Sequence, residues 1–247
     1  MNSPMRLARI AGVLYLLVGI FGGFAQGFVY SKIYAAGDAT KTTENLLAHS
    51  SLVRAGVASD LFQAAIWVMV AMTLSRLLTH VHAGMARAMV VFAAIGAGIT
   101  CLNAVFELEA LRVVAGDVNL SAVGAAGSNA LVLLLVDAQR YGIFAAGIFI
   151  GLWLAPMGYL AYKSGWFPRA LGVLLIVGCV CYLVDTFTAF LVPDVGKSIH
   201  SFIFIPAAIA EIWMVVYLLA IGVRTTPAEA EPALLLAADG APRRAPV

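Results

Sequence analysis

Asp60, Asp185 and Glu211 are the residues whose type and setting most suggest chemistry, because each is an ionisable group inside a long apolar run. A charged side chain at the centre of a membrane helix costs roughly 2.5 to 3.5 kcal/mol on insertion scales, so these three must face protein or water. Gln26, Glu107, Glu109, Arg112, Asp137 and Arg140 flank the same ends of those runs. The pattern predicts an outward-opening polar pocket for a small molecule or lipid, lined by Asp60, Gln63, Glu107, Arg140, Asp185 and Glu211. A plainer reading pairs Arg54, Arg112 or Arg140 with nearby carboxylates and makes the charges structural ties. A third sets His49 and His200 beside Asp60 or Asp185 as metal ligands of an intramembrane hydrolase. Spacing argues against it, since no His-x-x-x-His pair exists and a catalytic zinc normally takes three protein ligands. His80 and His82, two apart, fall on different sides of a helix and read as loop residues. Neither Gly-x-Ser-x-Gly nor Gly-x-x-x-x-Gly-Lys is present, so the usual signs of a serine hydrolase or P-loop ATPase are missing. The sequence assigns no catalytic residue, metal ligand or cofactor.

The elements that must position these residues are six apolar runs of membrane-spanning length: Ile10 to Tyr30, Ala55 to Leu78, Ala88 to Phe106, Tyr141 to Tyr162, Ala170 to Val192 and Ser201 to Val223. The expected fold is therefore all-α, a polytopic six-helix membrane bundle with short interfacial helices on the outer side. One such helix falls within Ser31 to Val53, with Asp38 or Thr40 as its N-cap. The other covers the apolar stretch Ala130 to Val136, too short to span, ahead of the fourth run. Pro156 should bend the fourth span. Pro193, Asp194, Gly196 and Lys197 read as a turn before the sixth, which contains Pro206 and Glu211. Gly19, Gly23 and Gly27 share a helix face suited to close packing inside the monomer, or alternatively to a homodimer. Gly23-Phe24-Ala25 faintly resembles a signal cleavage site, but the first run is longer than a signal core of roughly 7 to 15 residues.

Composition sets the class. Of 247 residues, 62% are hydrophobic and 11% charged, far from the roughly 25% charged of a soluble domain. The net charge of +2 is scattered, which excludes nucleic acid as a partner. Cys101, Cys179 and Cys181 are odd in number and sit in apolar runs, so no disulfide framework is expected. Arg6, Arg9, Arg76, Arg87, Lys163 and Arg169, with Arg224, Arg243 and Arg244, fall on one side of the bundle, leaving six of the fifteen basic residues on the other. The positive-inside rule then puts both termini in the cytoplasm. Residues 1–223 form one domain, and the Pro/Ala-rich 224–247 reads as a disordered cytoplasmic tail.

One stretch, Gly151 to Gly172, shows a helix ending, a tight turn and a helix beginning. Gly165 suits a C-cap with positive φ, and Pro168 suits a first helical turn. Trp153, Tyr159, Tyr162 and Trp166 beside Lys163 and Arg169 read as interfacial anchors. Trp153-Leu-x-Pro156-x-Gly158-Tyr159 through Ser164-Gly165-x-x-Pro168-Arg169-x-Leu171-Gly172 resembles the family of uncharacterised bacterial integral membrane proteins called domain of unknown function 4386. So do Arg9-x-Ala11-Gly12-x-x-Tyr15-Leu16, Arg54-x-Gly56-x-x-x-Asp60, Tyr182-Leu183-x-Asp185 and Glu211. The resemblance implies a multi-pass protein of the bacterial inner membrane; it carries no substrate, cofactor or catalytic residue, and it leaves out the tail. Arg9-x-x-Gly12-Val-Leu and Arg169-x-x-Gly172-Val-Leu open the first and fifth spans, so a repeat of three in-out-in hairpins is one reading and chance composition the other. Functionally, a binding or transport protein for a small molecule or lipid is expected first, and a ligand-free structural or accessory membrane protein second.

Overall fold

The computed structural model describes residues 4–224; the tail expected to be disordered, with Arg243 and Arg244, lies outside the described residues. Seven helices make up that part of the chain. They are α1 (Pro4–Ile33), α2 (Ala39–Ala48), α3 (Ser50–Leu78), α4 (Ala83–Ala115), α5 (Gly124–Ser164), α6 (Arg169–Leu191) and α7 (Pro193–Ala220). All except α2 are long and apolar enough to cross a membrane. The six spans close into a ring: each packs on the next, and α7 returns to pack on α1. Gly222 abuts Met5, so the two ends of the described chain meet at one end of the bundle.

The helix ends follow from local chemistry. Asp38, with extended backbone, accepts the Lys41 N–H at 2.8 Å and starts α2. His82 does the same for α4 through Nδ1, which accepts the Met85 N–H at 3.1 Å. Gly116 and Gly165 end α4 and α5 in the left-handed region, at φ +79° and +71°, which glycine adopts without a Cβ clash. Pro168 sits at the N-cap, one residue ahead of α6.

Four expectations need correction. The stretch Ala130 to Val136 is not a separate interfacial helix but part of α5, whose 41 residues run through Asp137, Gln139 and Arg140. These polar groups do not break the helix because each finds a partner on α1 or the segment after it. Pro193 to Lys197 is not a turn; it opens α7, where Pro193 occupies a first-turn position that needs no N–H and Asp194 complements the helix N-terminus. The interruption in α7 comes later, at Phe204, where Pro206 cannot donate to the preceding turn. Gly19, Gly23 and Gly27 do not pack inside the monomer: nothing lies within 4 Å of where their Cβ atoms would be. The close approaches use other glycines, chiefly Gly158 and Gly172, each of whose Cβ would fall 2.6–2.8 Å from the other's carbonyl oxygen. Finally, Trp153 and Trp166 are not interfacial anchors, being 1% and 2% exposed. Trp153 meets Tyr15 and Trp67 edge to face, and Trp166 stacks on His80 with ring centroids 4.3 Å apart, so both rings pack against protein.

The apolar core is divided in two. A large cluster built on Tyr15, Trp67, Met89, Trp153, Leu171 and Met214 fills the half of the ring nearer the α5–α6 turn. A smaller one joins Val29, Ile33, Leu46, Val53, Leu111 and Val136 at the opposite end, where α2 folds back and inserts Leu46. The Asn45 amide there donates to the Ile33 carbonyl at 3.3 Å, closing the end of α1.

Candidate functional site

Between the two apolar clusters lies a polar layer, and four helices contribute to it at the same depth. On α1, Gln26 falls between Tyr15 of one cluster and Val29 of the other; on α3, Asp60 falls between Ala64 and Val53; on α4, Asn103 and Glu107 fall between Ala97 and Ala110; on α5, Gln139 falls between Val136 and Ala146. Asp60, Asn103, Glu107 and Gln139 are all buried. The Gln26 amide donates to Asp60 Oδ2 at 2.7 Å, and the Gln139 amide donates to Gln26 Oε1 at 3.3 Å. Asn103 packs so tightly on Gly142, one turn from Gln139, that no Cβ fits there. Glu107, one turn from Asn103, is close enough to interact electrostatically with Asp60 and with Tyr30.

Local backbone geometry delivers Gln26 to this layer. Gly23–Val29 is a π-helical segment within α1, a wider turn that occurs often at functional sites. At its entry the Ser59 hydroxyl donates to the Phe21 carbonyl at 3.1 Å, and the Gln63 amide lies against Gly22, where a Cβ would come within 2.7 Å of it. Two neighbouring α3 side chains thus hold the start of the widened turn.

The layer is not self-satisfied. Among the described residues, the buried side-chain atoms without a hydrogen-bond partner are Tyr30 Oη, Asp60 Oδ1, Asn103 Nδ2 and Gln139 Oε1, and all four belong to it. Buried polar groups are paired in the great majority of cases, and each exception calls for an explanation such as a water, an ion or a ligand. Nor is a counter-charge at hand: among the described residues, no Lys, Arg or His lies within ion-pair distance of Asp60 or Glu107.

Above the layer, Tyr34 links it to the bundle end. Its hydroxyl donates to Asp137 Oδ1 at 2.8 Å and accepts from Arg140 at 3.0 Å, while the guanidinium lies over the Tyr34 and Phe144 rings. Burial first, and then the bond to Asp137, pushes the Tyr34 hydroxyl above its ordinary range, so it stays a donor at neutral pH.

The remaining carboxylates are satisfied by other partners. Glu211 on α7 accepts the Tyr15 hydroxyl at 2.8 Å and the Tyr182 hydroxyl at 3.0 Å, tying α1 and α6 to the last span. Asp185, one turn along α6 from Tyr182, lies 2.8 and 3.0 Å from Nδ1 of His200 on α7. A carboxylate only accepts, so that nitrogen carries the hydrogen. Of the six residues expected to line a pocket, Asp60 and Glu107 share the polar layer, Gln63 borders it through Gly22, and Arg140 stands above it on Tyr34. Asp185 and Glu211 belong to two centres on the α6–α7 side. Arg112 bonds to Glu109 on its own exposed helix face. No group of three or more His, Cys, Asp or Glu among the described residues is placed to hold a metal ion.

Sequence reasoning did not single out Asn103, Gln139 or Tyr30 as site residues. The signal was available for the first two, because Asn103 and Glu107 are four apart on one helix face and Gln139 follows an apolar run.

Residues 10–222 match the family described as Domain of unknown function (DUF4386). A stretch of 77 residues is 31% identical to an uncharacterised protein of Archaeoglobus fulgidus, covering 31% of this chain and 46% of that protein's length. No solved structure matches the chain. With the match covering nearly all of the described residues, the chain belongs to the DUF4386 family.

Proposed function

We propose that this DUF4386 member binds a small polar solute in the layer formed by Gln26, Asp60, Asn103, Glu107 and Gln139, and passes it across a bacterial cytoplasmic membrane. The observation that carries the reading is the gathering of every unpartnered buried side-chain atom of the described chain at this one depth. A solute offering N–H or O–H donors to Asp60 Oδ1 and Gln139 Oε1, and an acceptor to Asn103 Nδ2, satisfies all three. With no described Lys, Arg or His paired to Asp60 or Glu107, the layer favours a solute with positive charge or many donors. Both termini are proposed to be cytoplasmic, supported by the basic residues at the α3–α4 and α5–α6 turns, so that the layer lies toward the outer face. The π-helical segment and the break at Phe204 before Pro206 are the elements suited to move during passage. Homodimerisation through Gly19, Gly23 and Gly27 remains a further proposal, supported by the open space over those glycines.

Mass spectrometry of the intact, detergent-purified protein tests the binding claim. The wild type is expected to retain a small solute that Gln139→Leu loses while keeping an unchanged unfolding midpoint. Should both proteins carry no adduct, and should neither be stabilised by a panel of amines, amino acids and sugars, the ligand-free structural reading stands instead. That reading has its own support in the satisfied Glu211 and Asp185 centres, which need no ligand.

A further inference from the structure

The opposite end of the bundle holds a cleft of about 410 Å³, lined by His80, Val81, Tyr159, Lys163, Ser164 and Trp166. That volume is within the roughly 300 to 1,000 Å³ of small-molecule sites. One wall is the α3–α4 turn and the other is the end of α5 with the turn into α6. His80 stacks on Trp166 with ring centroids 4.3 Å apart, and His82 meets Tyr159 edge to face. Ser164 is fixed, donating to the Ala161 carbonyl at 2.9 Å and accepting the Trp166 N–H at 3.1 Å. The cleft is therefore a shaped feature between two packed turns.

Its electrostatics are one-sided. No Asp or Glu occurs from residue 61 to 106 or from 138 to 184, the two stretches that supply both walls. Arg76, Arg87 and Arg169 lie in those same stretches. Among the described residues, no carboxylate lies within ion-pair distance of the Lys163 ammonium.

We infer that this cleft binds a phosphate-bearing anion, either the headgroup of an acidic phospholipid or free phosphate, with the Lys163 ammonium as its counter-charge. A lysine is a compact donor well suited to phosphate. Basic pockets between membrane helices, at the level of the headgroups, take acidic lipid headgroups for the same reason. The stacked His80 and Trp166 rings form part of the lining beside Lys163, and a headgroup entering from the bilayer would set its phosphate against that ammonium. This site is distinct from the polar layer and stands or falls without it.

The test titrates the purified full-length protein with dioleoylphosphatidylglycerol, dioleoylphosphatidylcholine or inorganic phosphate, and counts retained adducts by mass spectrometry of the intact protein. The wild type is expected to retain the glycerol lipid at least about fivefold better than the choline lipid of equal chain length, the discrimination of about one surface charge. Lys163→Ala and the cleft-filling Val81→Trp should both lose that preference, and Lys163→Arg should keep it. Lys163→Gln replaces the alanine variant if that one unfolds. Displacement of the lipid by millimolar phosphate identifies the free anion as ligand, and resistance to it identifies the headgroup; either supports the site. Equal retention of both lipids by the wild type overturns it, as does a preference that survives in either Lys163→Ala or Val81→Trp.

Discussion

The two halves of the ring solve the same problem in opposite ways. Near the α5–α6 turn, helices meet backbone to backbone at Gly158 and Gly172, and three aromatic rings, Tyr15, Trp67 and Trp153, interlock edge to face. In the other half, the helices meet through a layer of amides, carboxylates and the Tyr30 hydroxyl, four of whose buried atoms have no partner. A close-packed half gains stability from every contact, whereas an unsatisfied polar layer costs stability unless something occupies it. The contrast separates the part of the molecule built to hold its shape from the part built to engage something else.

The largest effect should come from the packed half. Gly158→Leu places a side chain where even a Cβ would lie 2.6 Å from the Gly172 carbonyl oxygen; backbone cannot yield as a side chain can, so α5 and α6 separate. No folded monodisperse protein should be recovered by size-exclusion chromatography. Gly19→Leu, the same change over open space, should shift stability by less than about 0.5 kcal/mol. If both variants fold equally well, the packed half is not what the contrast makes it.

A smaller loss is expected at Glu211. Glu211→Ala removes the acceptor of two tyrosine hydroxyls, one of them, Tyr15, buried in the core. Two orphaned donors cost about 2–4 kcal/mol together, read as a lower unfolding midpoint in detergent. Glu211→Gln, which keeps one amide oxygen, should fall between.

The last effect has the opposite sign, and it sharpens the contrast most. Asp60→Asn keeps an oxygen for the Gln26 amide while removing a buried carboxylate that no cation among the described residues pairs with. The variant should be more stable by about 1 kcal/mol and should lose solute retention, the usual exchange at a site held short of its stability optimum. A destabilised Asp60→Asn would mean that the carboxylate is a structural group like Glu211.

Much of this was legible in the sequence. Six apolar runs specified six spans, Asp38 or Thr40 bracketed the start of α2, which the structure places after Asp38, and Gly165 specified the end of α5, because each depends on interactions within a few residues. The polar interruption at Asp137 to Arg140 misled for the complementary reason: whether a charged stretch ends a helix depends on partners such as Tyr34 and Gln26, more than a hundred residues away in sequence. The aromatic residues of the α5–α6 hairpin misled similarly, since composition cannot tell a ring facing headgroups from one facing His80 or Trp67. The site itself was half visible. Intramembrane acids announced themselves, but their grouping did not, because Asp60 and Glu107 share one layer while Asp185 and Glu211 find partners on α7, α1 and α6.

The π-helical segment in α1 carries information that residue identity alone does not. Its wider turn consumes an additional residue, so everything from Val29 onward is rotated relative to where an uninterrupted α-helix would carry it, by about 100° per residue. A relative with the same Gln26, Asp60 and Gln139 but one residue fewer between Gly23 and Val29 would close that turn into ordinary helix and swing Tyr30 and Tyr34 away from the layer. Along this stretch a single-residue gap in an alignment therefore marks a change of site, even where every side chain that forms it has been kept.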